Sequence, residues 1–150
     1  MDLKTIDEIL DFAIENEEKA AAMYHDLAAK VERPGMRETF SHFAKEEEGH
    51  RARLLKIKQG TMPVVSDATV ADLRITEQLA DPEIAPNMTY QEALVFAMKA
   101  EKAAFTLYTR LAELTSDPDL QQVFRNLAQE EAKHKLRFEI EYDDHVLEGV

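Results

Sequence analysis

The chain has 150 residues, with 30 acidic side chains against 18 basic ones and a formal net charge of -12. That length suffices for one domain with a real core, and the charge argues against a nucleic-acid backbone or an anionic membrane surface as partner. There is no cysteine, which excludes disulfides, zinc ribbons, thiol catalysis and cysteine-held iron–sulfur centres.

The start, MDLKTIDEIL, is acidic and amphipathic rather than signal-peptide-like. No apolar run reaches the roughly 18 residues that span a membrane, so no membrane is expected and the cytoplasm is the expected location. Four helices are predicted, at about 5–32, 35–59, 89–115 and 118–146. Thr5 to Glu8 and Thr89 to Glu92 have the spacing of capping boxes. Pro34 and Pro118 suit a first helical turn, where proline forfeits no hydrogen bond. Gly60 and Pro63 end the second helix. Short connections make helices one and two, and three and four, antiparallel neighbours. The long segment from Thr61 to Met88 has the length of a crossover that lets helices two and three run parallel, with a short helix expected over Asp67 to Leu79.

The halves repeat. At an offset of 84 (134 − 50), Thr5 recurs as Thr89, Glu17 as Glu101, Tyr24 as Tyr108, Pro34 as Pro118, Phe40 as Phe124, Glu47 as Glu131, His50 as His134 and Arg53 as Arg137, with no gap. The single 150-residue domain is therefore two copies of one helical hairpin (about 5–59 and 89–146) joined by a crossover at 61–88.

Each helix carries an apolar stripe at spacings of three and four. Helix one gives Leu3, Ile6, Leu10, Ala13, Glu17, Ala20, Tyr24, Leu27 and Val31; helix two gives Phe40, Phe43, Glu47, His50, Leu54 and Ile57. Helix three gives Leu94, Ala97, Glu101, Ala104, Tyr108 and Leu111; helix four gives Phe124, Leu127, Glu131, His134 and Phe138. The Phe and Leu members read as core. Each stripe is interrupted by a carboxylate, and two of them add a His one turn on. Unpaired buried carboxylates cost several kcal/mol each, and no Lys or Arg on these stripes neutralises them. Four carboxylates and two neutral imidazoles around two divalent cations make a neutral site, and oxygen and nitrogen donors without sulfur suit iron or manganese, with zinc possible. One Glu from each of two helices plus Glu-x-x-His from each of the others is the ligand set of dinuclear carboxylate bundles.

On E-x6-Y and EE-x2-H, each occurring twice in order, the chain resembles the rubrerythrin group of the ferritin-like diiron-carboxylate superfamily over nearly its whole length. The resemblance implies an all-α, ferritin-like four-helix bundle that binds two iron ions through Glu17, Glu47, His50, Glu101, Glu131 and His134. It implies hydrogen bonds from Tyr24 and Tyr108 toward the ligands. It also implies that Glu46 and Glu130 each orient the opposite metal-binding His. Residue by residue, Tyr24 and Tyr108 also fit as core aromatics, and Glu46 and Glu130 as a solvated face. Full rubrerythrins carry a cysteine-ligated rubredoxin domain, and this chain has no cysteine. An electron donor such as a rubredoxin would then be external. Many rubrerythrins have a further ligand Glu one turn from the third-helix Glu, where this chain has Met98 and Ala104. The expected function is a diiron oxidoreductase that reduces hydrogen peroxide or dioxygen in oxidative-stress defence, as a homodimer. The alternatives are a ferroxidase for iron storage or transfer, and a non-enzymatic metal-binding sensor or structural module. His25, His42 and His145, which have no repeat partner, are expected at the surface.

Overall fold

The structure is a computed structural model and describes residues 5–60 and 88–148. Four helices fill those segments: α1 (Ile6–Lys30), α2 (Pro34–Lys58), α3 (Tyr90–Leu114) and α4 (Pro118–Glu148). The crossover, and the short helix expected within it, lie outside the described residues.

Local chemistry sets the helix ends. At Thr89 both arms of the capping box form, the hydroxyl accepting from Glu92 N and the Glu92 carboxylate from Thr89 N. At Thr5 the hydroxyl accepts from Glu8 N at 3.2 Å. Pro34 is the first residue of α2, and Arg33 before it makes no side-chain cap bond. Its repeat counterpart Asp117 does, its carboxylate accepting from Asp119 N and Leu120 N ahead of α4. Gly60 closes α2 with φ 76, a left-handed backbone that glycine adopts without a Cβ penalty.

The helices pack as two hairpins, α1 on α2 and α3 on α4, with α1 also touching α3. Cross-hairpin bonds fix the directions. Tyr24 reaches Glu101 while Tyr108 reaches Glu17, so α1 and α3 are antiparallel. His50 meets Glu130 while His134 meets Glu46, so α2 and α4 are antiparallel too. Helices α2 and α3 therefore run parallel, as expected from the length of the segment between them, and the hairpins are related by a pseudo-twofold across the bundle. The expected all-α four-helix bundle is what the chain forms.

The core is split in two by the polar layer. One cluster joins Ile6, Ile9, Leu10, Ala13 and Ile14 of α1 with Leu54, Ile57, Leu107, Tyr108, Leu111, Phe124 and Leu127. The other joins Met23, Tyr24, Leu27 and Val31 with Met36, Phe40, Phe43, Leu94, Ala97 and Phe138. The buried arc is wider than the predicted stripe, since Ile9, Ile14 and Met23 are buried while Ala20 and Ala104 are half-exposed. His145 departs from expectation: it is half-buried, accepts a hydrogen bond from Arg33 at 2.7 Å and lies edge-on to Tyr90 at 5.0 Å. His25 and His42 are exposed, as expected. No helix is long and apolar enough to cross a membrane among the described residues.

The second cluster is aromatic: Phe40 packs 6.0 Å from Tyr24 and 5.4 Å from Phe138, ring centroid to centroid. Phe40→Ala is expected to cost about 3–5 kcal/mol in denaturant unfolding, as a shifted midpoint with an unchanged slope. Phe124→Ala, whose ring stacks on Tyr108 alone among the described residues, is expected at the lower end of that range. A cost for Phe40→Ala below about 1 kcal/mol would contradict this account of the core.

Candidate metal centre

Between the two apolar clusters each helix turns a carboxylate inward: Glu17 from α1, Glu47 from α2, Glu101 from α3 and Glu131 from α4. One turn further along α2 and α4, His50 and His134 lie on the same face. None of the six is more than 7% exposed. Their donor atoms form two overlapping groups, each within 4.8 Å: Glu17, Glu47, His50 and Glu131 in one, and Glu47, Glu101, Glu131 and His134 in the other. Glu47 and Glu131 belong to both groups. The structure thus brings together all six residues predicted from the repeat.

One atom of each residue is buried without a hydrogen-bond partner: Glu17 Oε2, Glu47 Oε1, His50 Nδ1, Glu101 Oε2, Glu131 Oε1 and His134 Nδ1. His50 Nδ1 lies 3.1 Å from Glu131 Oε1 and 3.5 Å from Glu17 Oε1; His134 Nδ1 lies 3.2 Å from Glu47 Oε1 and 3.4 Å from Glu101 Oε1. These are close approaches without hydrogen-bonding alignment. Buried polar atoms in folded proteins are nearly always satisfied. Six orphans converging on one place are the arrangement that cations would complete, and four carboxylates with two neutral imidazoles offset two divalent charges. The hard oxygen and imidazole donors suit iron, manganese or zinc.

The outward edges of four of these residues are satisfied. Tyr24 donates to Glu101 and Tyr108 to Glu17, each phenol crossing to the opposite hairpin. His50 Nε2 pairs with Glu130, and His134 Nε2 with Glu46. A carboxylate on Nε2 holds the proton there and leaves Nδ1 free to face the orphaned oxygens. Tyr24, Tyr108, Glu46 and Glu130 therefore all sit where the sequence resemblance implies. A groove of about 580 Å³ between α2 and α4 opens onto the imidazoles; Glu46, Gly49, Glu130 and Lys133 line it.

One contact was not anticipated. Phe43, read from the sequence as core, stacks on the His134 imidazole at 3.9 Å between centroids and 17° between planes. The signal available was a break in the repeat, because residue 127, its counterpart, is Leu.

The electrostatics follow from burying like charges. Burial and then the charge of Glu47 push Glu17 up to about 8; burial and then Glu131 push Glu47 up to about 7. Glu101 and Glu131 are also raised, chiefly by burial. Burial alone would lower the imidazoles, but the surrounding carboxylates together outweigh it and push His50 up to about 12 and His134 up to about 11. Without metal, the folded layer thus holds protons that the unfolded chain releases. The carboxyls cost stability as pH rises from 4.5 through about 7 and 8, and the histidines lose their stabilising contribution from 6.5 through about 11 and 12. Metal-free protein is therefore expected to melt lower as pH rises from about 5 to 9, by about 1.4 kcal/mol per unit for each proton involved. Saturating zinc displaces those protons, so its stabilisation grows with pH and offsets or reverses the slope. Thermal melts with and without zinc check this; a metal-free chain that gains stability across that window would contradict it.

Comparison with known proteins places the chain. No curated protein matches it. Among solved structures, a hypothetical protein from Pyrococcus furiosus is similar at 26% identity and a TM-score of 0.69, over 91% of this chain and 87% of that one. The rubrerythrin family model matches residues 8–142, a span that contains all four helices' contributions to the polar layer, and the chain therefore belongs to the rubrerythrin family.

Proposed function

We propose that this chain is a dinuclear-iron oxidoreductase that reduces hydrogen peroxide or dioxygen, in defence against oxidative stress. The observation that carries the reading is the convergence of six orphaned donor atoms, one from each of the six predicted ligands, in a family of diiron proteins. Glu17, Glu47, His50 and Glu131 would hold one ion, and Glu47, Glu101, Glu131 and His134 the other. When bound, an iron pair supplies two electrons, one per ion, which with two protons convert the O–O bond of peroxide into two waters.

The chain's own residues do the rest. Glu46 and Glu130 keep the Nε2 proton of each imidazole at the groove side and Nδ1 toward the ligand layer. Burial, then the charge of Glu17, raises Tyr108 well above its ordinary value, so the phenol stays protonated and keeps donating to Glu17. Tyr24 donates to Glu101 from the opposite hairpin. The apolar clusters close both ends of the layer, which keeps bulk water away from it, and the α2–α4 groove is wide enough for a diatomic oxidant. With no cysteine in the chain, electrons would come from a separate donor such as a rubredoxin.

A second reading, ferroxidase for iron storage or transfer, is favoured by the residues beside Glu101. Met98 and Ala104, one turn to either side, supply no additional carboxylate, so the ligand set is symmetric. Anaerobic loading with Fe²⁺ followed by parallel mixing with peroxide and with air separates the two. Two irons per chain, oxidised much faster by peroxide, support the first reading; dioxygen as fast or faster supports the second; failure to hold two metals sinks both. Tyr108→Phe is expected to keep the metal count and slow peroxide oxidation about tenfold or more, the worth of a hydrogen bond to a charged group. An unchanged rate would make the tyrosine a packing residue only.

A further inference from the structure

The two halves of the ligand layer match in their ligands and differ in what stands behind them. Behind His134 the imidazole lies face to face with Phe43 at 3.9 Å and edge-on to Tyr24 at 6.4 Å. Phe43 is itself fixed by Phe138 at 5.3 Å and Tyr24 at 5.9 Å. At the offset of 84, Phe43 corresponds to Leu127 and Phe138 to Leu54. Among the described residues no aromatic ring contacts His50, whose ring is oriented by its Nε2 bond to Glu130. His134 is also the more enclosed, 3% exposed against 7% for His50.

We infer that Phe43 makes the two metal positions unequal, so that the position completed by His134 fills with a divalent cation first and releases it last. This rests on the two-metal reading of the site. The stack acts through the ordering of the imidazole. A stacked ring has fewer orientations to lose when Nδ1 binds a cation, so less ordering entropy opposes binding. Phe43 is thus a positioning residue that sets the order of metal loading without touching metal.

Zinc titrated into metal-free protein, followed by NMR of ¹⁵N-labelled histidine side chains, reads the order directly, and the chain has only five histidines to assign. At one equivalent of zinc, His134 is expected in its bound position with His50 still mostly free, a preference on the order of three- to tenfold. Phe43→Leu, which gives this half the residue the other half already carries, should bring the ratio near one. The double exchange Phe43→Leu with Leu127→Phe should pass the preference to His50, and Phe43→Tyr, which keeps the aromatic face, should retain the original order. Simultaneous filling in the parent chain, His50 filling first, or an order unchanged by Phe43→Leu would each overturn the inference while leaving the site intact. No shift at either histidine by two equivalents would overturn the metal reading itself. Because zinc is redox-inert, neither result depends on turnover.

Discussion

Four carboxylates held at one level inside a helical bundle are the constraint from which the rest of this structure follows. Each buried, unpaired charge costs several kcal/mol, and four together repel. The fold does not relieve this with lysine or arginine: among the described residues none is buried. It supplies partial answers instead, with a phenol on Glu17, another on Glu101, and two imidazoles facing inward. What is left over is one unsatisfied atom per residue, all aimed at the same place. Stability and cation binding are coupled by that design, because whatever neutralises the layer also holds the four helices together.

Duplication explains how so short a chain assembles the layer. A hairpin carrying Glu on one helix and Glu-x-x-His on the next offers half a site, and a second copy set antiparallel across it completes the other half. The crossed bonds show the halves depending on each other: each tyrosine reaches a carboxylate of the opposite hairpin, and each imidazole is oriented by the other hairpin's Glu. The copies keep the layer and a few cap and core residues, such as Thr5/Thr89, Pro34/Pro118 and Phe40/Phe124, and have diverged at many positions around them. Asp117 caps α4 where Arg33 leaves α2 without a side-chain cap. Lys133 stands where the first half has Gly49, and Leu127 where it has Phe43. Divergence in the supporting shell is free to tune two positions whose ligands are the same.

The polar layer was legible in the sequence because helical spacing converts directly into a shared face. Glu17 and Tyr24, or Glu131 and His134, are whole turns apart, so identity at a fixed offset specifies the geometry as well. The helix bounds were legible for a similar local reason, since Thr89, Pro34 and Gly60 act through bonds within a turn of themselves. The width of the core was not. Each helix here faces more than one neighbour, so Ile9, Ile14 and Met23 are buried beyond the narrow stripe that spacings of three and four pick out. Contacts without a repeat partner were not legible either. His145 meets Arg33 across 112 residues of chain, and Phe43 is distinguished from any other core phenylalanine only by the imidazole beside it. Periodicity says which side of a helix is inside; it does not say which ring lies against which.

The most direct test of the central claim is a crystal structure of the chain loaded with manganese or zinc, with anomalous scattering recorded at the metal edge. Two peaks are predicted within the polar layer, about 3.5–4 Å apart, both touching Glu47 and Glu131, one also held by Glu17 and His50 and the other by Glu101 and His134. A single peak, or none in the layer with the six side chains undisturbed, would contradict the account and leave the buried carboxylates to be balanced by protons alone.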